Sequence, residues 1–279
     1  MRKLGDTLPE LVQTFGTRKR GIPTGIFQVD ELLNGLEPSD FIIVAARPSM
    51  GKTAYAGCVA IEASRINKVA FFSLEMSYTR LAERMIANVA QVSHNQMVRD
   101  MLDSSGKRAQ SQAVEQLMQH NLWIDDTPHL TTQELRGKII EHEPELVIID
   151  YLQLMTGERT EGRRQEVADM SRDLKLMTQE FSIPIVALCQ LNRECERRDD
   201  TMPRMSDLRE AGDLEQDADK IILLHRPAYY TMQATHDVTD DDAEARIIVA
   251  KNRHGPVGIV ECAFMSEFVS FVDINEEEF

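Results

Sequence analysis

Residues 45–54 read "AARPSMGKTA". They follow an apolar run, "FIIVAA" (41–46), and lead into residues 52–65, which read as a helix. Set against the pattern G-x-x-x-x-G-K-[ST], Gly51, Lys52 and Thr53 fill the last three positions, and Ala46 stands where the first glycine belongs. A buried strand, a glycine-bearing turn and a helix N-terminus bring backbone N–H groups and the positive end of a helix to one point, which makes an anion site. In such a loop Lys52 reaches the β- and γ-phosphates of a nucleotide and Thr53 holds Mg²⁺. Ala46, Arg47, Pro48, Ser49, Met50, Gly51, Lys52 and Thr53 are the candidate nucleotide-binding residues. If Ala46, at the strand exit, takes a negative φ, its methyl group costs little.

A metal on the phosphates needs a second oxygen ligand. "LVIID" (146–150) is a buried strand ending in Asp150, where Mg²⁺-holding carboxylates stand in such enzymes. Tyr151 follows it, so the strand end carries one acid and not two. Hydrolysis also needs a group that orients and deprotonates water. Glu75, just past the strand "FFSL", is the candidate. Parallel strands deliver their C-terminal ends to one edge, so Glu75, Asp150 and the loop are expected to converge. Gln190, at the end of "IPIVALCQ" (183–190), would stand there as a γ-phosphate sensor; taken alone, it reads equally well as an ordinary strand-end polar residue.

The rest of the chain fits around this unit. Apolar runs recur at 68–74, 122–125, 146–149, 183–189, 220–224, 245–251 and 258–264, the last two as a hairpin across "NRHGPV". Helical stretches separate them at 27–35, 77–91, 104–120, 131–143 (opened by a Thr131–Glu134 capping box) and 165–181. The pattern predicts an α/β fold with a mainly parallel central sheet flanked by helices and a C-terminal β-hairpin. Residues 1–20 carry Leu8, Leu11, Val12 and Phe15 at helical spacing, then basic residues, Gly and Pro, and read as a short helix and linker before a domain spanning 21–279. No apolar run approaches the ~20 residues of a membrane span, and scattered cysteines without C-x-x-C suit a reducing, cytoplasmic setting. The 31 basic and 46 acidic residues give a net charge of −15, unlike a nonspecific nucleic-acid coat, although Lys and Arg cluster locally.

Six segments then occur in one order: "TGIFQVDELLNGLEPSDFIIVAARPSMGKTA", "FFSLEM", "IIDYLQLM", "VALCQLNRECERR", "SDLREAGDLEQDADKIILLHR" and "AKNRHGPVG". Together they resemble the RecA-like motor domain of DnaB-type replicative DNA helicases over roughly residues 21–272, and "ARPSMGKT" is that family's form of the loop, alanine included. The resemblance implies an ATP- and Mg²⁺-dependent motor that translocates on single-stranded DNA and unwinds duplex at the replication fork. Lys52, Thr53, Glu75, Asp150 and Gln190 match its phosphate, metal, catalytic and sensor positions. Arg253 matches the arginine finger that reaches a neighbouring subunit's ATP, with Lys251 beside it; without the family, both read as a solvated hairpin tip. Arg209, Glu210 and Gly212 match positions that hold the backbone of single-stranded DNA. A homo-oligomeric, hexameric ring, a primase and a helicase loader are the partners it implies. Family members carry a helical N-terminal domain where only residues 1–20 stand here, so ring assembly and primase binding stay open for this chain. The acidic stretch 236–244 matches no role. Two alternatives remain at this point: another RecA-like ATPase of recombinase or KaiC type, and an isolated nucleotide-binding fragment with little activity alone.

Overall fold

The computed structural model describes residues 20–157, 162–193, 195, 198, 200–208, 211–227, 229 and 243–274, with Leu8 and Val12. The expected helix and linker before residue 20, and the acidic stretch up to 242, lie outside the described residues apart from Leu8 and Val12, both helical and exposed.

The strand β1 (Phe41–Ala46) is buried at all six positions, because layers cover both of its faces. Its side chains alternate. Ile42 and Val44 enter one core with Tyr55, Val59, Phe71 and Ile148, while Phe41, Ile43 and Ala45 enter the other with Leu135, Val167, Leu174 and Ile185. The first core lies under α1 (Phe27–Leu33), α2 (Lys52–Ser64) and α3 (Tyr78–Ala90), and the second under α6 (Thr132–His142) and α7 (Arg163–Phe181). Between these helices run β2 (Val69–Ser73), α4 (His94–Val98), α5 (Ser104–Leu117), β3 (Leu122–Asp125), β4 (Leu146–Asp150) and β5 (Ile185–Gln190). The chain continues through α8 (Ala211–Asp217), β6 (Lys220–His225), β7 (Glu244–Asn252), β8 (Gly258–Met265) and β9 (Ser270–Asp273).

The strands form one nine-stranded sheet ordered β3-β2-β4-β5-β1-β6-β7-β8-β9 among the described residues. Pairing is parallel from β3 through β6 and antiparallel from β6 through β9. This is the predicted mainly parallel sheet with its terminal hairpin. The sequence pattern does not show α4, α8 and β9, which are five, seven and four residues long and too short to show a period. The first helix stops at Leu33 and not at Gly35, because Asn34 already takes a left-handed conformation (φ 57°). The Thr131–Glu134 capping box is present as expected.

One buried charge sits at the N-terminal edge of the parallel strands. Lys220, fully buried, pairs with Asp40 at 2.6 Å and donates to Leu33 O and Gly35 O, both at 2.9 Å. It joins β6 to the end of α1 and the entry of β1. A buried ammonium whose carboxylate is removed is costly, about 3–5 kcal/mol, and Glu37, at 3.7 Å, can take over part of the pairing. Asp40→Ala is therefore expected to lower the unfolding free energy in urea by about 3 kcal/mol, the low end of that range; a loss under about 1 kcal/mol would show that the pair does not hold this edge.

Candidate nucleotide site

The loop 47–51 leaves the centre of the sheet, where β1 lies between β5 and β6. Ala46 pairs with Gln190 and is a regular strand residue without positive φ, so its methyl group is accommodated in the ladder. The chain then turns through two left-handed residues, Ser49 (φ 67°) and Gly51 (φ 90°). Gly51 stands at the N-cap of α2 with no side-chain cap, which leaves the first-turn N–H groups facing the cleft. Two arginines brace this turn, Arg226 from outside and Arg47 from within it. Arg226 Nη1 donates to Ser49 O at 3.2 Å while its guanidinium lies 4.2 Å from the Phe264 ring centroid, and Arg47 Nη1 donates to Leu191 O at 2.8 Å. Arg47 and Met50 are buried, so these two loop residues offer a ligand mainly their backbone.

The strand ends converge on the cleft. Ser73 of β2 pairs with Asp150 of β4, and Leu74 N donates to Asp150 O at 2.7 Å, which carries Glu75 out over the site. Asp150 is fully buried; its Oδ2 accepts from Thr53 Oγ1 at 2.7 Å, and its Oδ1 has no hydrogen-bond partner among the described residues. Burial holds its carboxyl above the ordinary range, with Thr53 and Lys52 opposing. Burial also lowers the pKa of Lys52, against the pull of Asp150, Cys189 and Glu75, and its ammonium lies 4.3 Å from the Tyr151 ring centroid. A buried carboxylate with one unused oxygen beside a threonine hydroxyl is a donor set that fits a hard divalent cation. Lys52, Glu75, Tyr151 and Gln190 line a cavity of about 540 Å³ over this pair, which can take a charged, triphosphate-sized ligand.

Lys251 and Arg253 stand at the other edge. Asn252 pairs with Lys220, and Lys220 is level with Ile42, near the start of β1. Ala46 is four residues further along, roughly 13 Å at strand rise. Lys251 Nζ donates to Glu215 O (2.6 Å) and Ala218 O (2.7 Å) at the end of α8, and Arg253 Nη2 donates to Gln216 O (2.6 Å). Neither lines the cavity over Thr53 and Asp150. Gly212 belongs to the first turn of α8, and Arg209 and Glu210 lie outside the described residues.

The family model for the DnaB-like helicase C-terminal domain matches residues 21–273. The chain belongs to that family. This DnaB-like domain is 40% identical over 263 residues to the replicative DNA helicase DnaB of Geobacillus stearothermophilus, covering 91% of this chain and 57% of the relative. It is 38% identical to the replicative DNA helicase DnaC of Bacillus subtilis, with the same coverage of each chain. The chain thus spans a little over half the length of these curated relatives. Among solved structures, an ATPase domain superposes with a TM-score of 0.88 at 33% identity, covering 97% of both chains. A DnaB-like replicative helicase solved for its interactions with primase gives 0.88 at 32% identity, covering 99% of this chain and 68% of that one. The RecA-like fold follows.

Among the cavity residues of the DnaB-like domain, Arg84, His94, Phe264, Ser266 and Val269 escaped the sequence reading. They come from α3, α4, β8 and the turn between β8 and β9, and no spacing relates them to the loop. Phe264 also packs on Phe271, centroids 4.9 Å apart, and Phe271 abuts the turn. A Cβ added to Gly51 would lie 2.9 Å from Phe271 Cε2, on top of the strained φ. Gly51→Ala is expected to cost about 1–2 kcal/mol of stability from φ alone and to abolish nucleotide binding in a fluorescent-analogue titration. Phe271→Leu on that background should recover only part of either, since it relieves the clash and leaves the dihedral. Full recovery would assign the whole effect to the ring.

Proposed function

We propose that this DnaB-like domain is the ATP-hydrolysing motor of a replicative DNA helicase, which translocates on single-stranded DNA and unwinds the duplex ahead of it. The observation that carries the reading is the Thr53–Asp150 pair, with its unused carboxylate oxygen, next to Lys52 and opposite Glu75 and Gln190. Thr53 and Asp150 would hold Mg²⁺, which when bound supplies charge neutralisation on the β- and γ-phosphates. The loop N–H groups and Lys52 bind and orient the triphosphate. Glu75, exposed at the mouth, accepts the proton of the attacking water. Gln190, the neighbour of Ala46 on β5, registers the γ-phosphate by hydrogen bonding.

The site is incomplete without a second subunit. Arg253 lies at the sheet edge away from its own loop, which supports its use on a neighbour's nucleotide, with Lys251 beside it. A heterologous, repeated contact of this kind closes into a ring, and a hexamer is the family's form. Arg209, Glu210 and Gly212 would hold the DNA backbone without reading bases. The primase contact described for the structural relative supports the same partner here; a loader rests on the family resemblance alone.

Glu75→Gln is expected to leave Mg²⁺-dependent nucleotide affinity within about twofold while lowering ATP turnover and strand separation ~10²–10⁴-fold; turnover and unwinding at the normal rate would remove Glu75 from the chemistry. ATPase rate per chain should rise with protein concentration and with single-stranded DNA, and Arg253→Ala should abolish that rise. A rate flat in concentration and indifferent to Arg253 would mean that this chain alone only binds nucleotide. Chelation of Mg²⁺ with EDTA should abolish turnover in every case.

A further inference from the structure

A guanidinium on a long side chain carries about 2 kcal/mol of rotamer entropy, and an arginine that serves a neighbour's reaction must be aimed before the neighbour arrives. The residue best placed to aim Arg253 is Asp219, in the short link between α8 and β6.

Asp219 is buried, and both its carboxylate oxygens are engaged. Oδ1 accepts from Arg253 Nη1 at 3.2 Å; Oδ2 accepts from Lys175 Nζ at 2.6 Å and from Phe41 N at 2.8 Å. The backbone is tied as well: Arg253 N donates to Asp219 O at 2.9 Å, and Asp219 N donates to Phe41 O at 2.8 Å. Arg253 Nη2 completes a second fixed point on Gln216 O. A guanidinium has five N–H donors, so two are used to fix its plane and three are left over. The Arg253 side chain is 45% exposed, against 3% for Asp219. The inner partner is thus rigid and the outer partner accessible. Lys175 balances the Asp219 carboxylate, which keeps Arg253 from being its sole counter-ion. Through Phe41, the first residue of β1, the same carboxylate sets where Arg253 stands relative to the strand that carries the phosphate loop.

We propose that Asp219 is a positioning residue for Arg253: it holds the guanidinium oriented at the subunit's edge, so that its effect falls on ATP turnover in the neighbouring subunit and not in its own. The inference rests on the reading of Arg253 as a finger that acts in trans.

Mixed rings test it. In the assembled protein, Asp219→Asn is expected to lower DNA-stimulated kcat roughly 10–100-fold, the size of a modest misplacement of a catalytic group, with KM for ATP changed less than about twofold. Asp219→Asn subunits are then mixed with Lys52→Ala subunits, whose own site is dead and whose Arg253 is properly held. Random pairing of competent sites with competent fingers restores up to about a quarter of wild-type turnover if the defect lies in the finger, because a heterologous ring contact joins one subunit's site to the next subunit's edge. No restoration appears if Asp219 matters only to the fold of its own site through β1, and that result overturns the proposal. Asp219→Glu, which keeps the charge for Lys175 and displaces the carboxylate by one methylene, is run in parallel and decides the matter should the Asn variant fail to fold. Arg253→Ala mixed with Lys52→Ala is the control. If it restores turnover and the Asp219 variants do not, the positioning role alone falls. If it fails to restore turnover, the trans finger falls, and this inference with it.

Discussion

The parallel pairing of β1 with β5 on one side and β6 on the other is the constraint on which the site depends. Pairing in that direction sends the C-terminal ends of β1, β2, β4 and β5 to one edge, where their backbone ladders end and the chain must turn. The phosphate loop, Glu75, Asp150 and Gln190 are those turns. The antiparallel strand β7 does the reverse. It carries Lys251 and Arg253 to the edge where the parallel strands begin, so one change of strand direction separates them from the groups gathered at the cleft.

The two edges differ in their electrostatics. At the loop edge compensation is incomplete: buried Asp150 retains an unused oxygen, and half-buried Lys52, lining the cavity, has its pKa lowered by desolvation. Both are poised for a ligand that brings its own charge. At the far edge the buried charges are fully engaged, Lys220 by Asp40 and two carbonyls, Asp219 by Lys175, Arg253 and a backbone N–H. A polar network that is satisfied stiffens what it touches, and one that is not invites a partner. The contrast fits a rigid edge that presents a side chain and an open edge that receives a substrate.

Much of this was legible along the chain. The run "FIIVAA" reads as a strand buried on both faces in a covered parallel sheet, and Gly51-Lys52-Thr53 in the turn after it match a phosphate-binding loop. Those two facts lead to the loop, to the strand ending in Asp150 and to Glu75. Short elements were not legible, since α4, α8 and β9 offer too few residues for a period. Nor were the walls of the cavity: Arg84, His94, Phe264, Ser266 and Val269 reach it from segments that pack there only after the sheet has formed.

The sequence by itself determined the alternation of strands and helices, the chemistry of the phosphate loop and the identity of the residues at each strand end. These depend on local spacing, on backbone dihedral limits and on which side chains water excludes. The tertiary structure alone decided that Ala46 lies against Gln190, that Phe271 leaves Gly51 no room for a side chain, that Thr53 meets Asp150, and that Arg253 is held by Asp219 at the edge opposite its own nucleotide loop. Each of those joins residues distant along the chain, and strand order and register, not local pattern, bring them within reach.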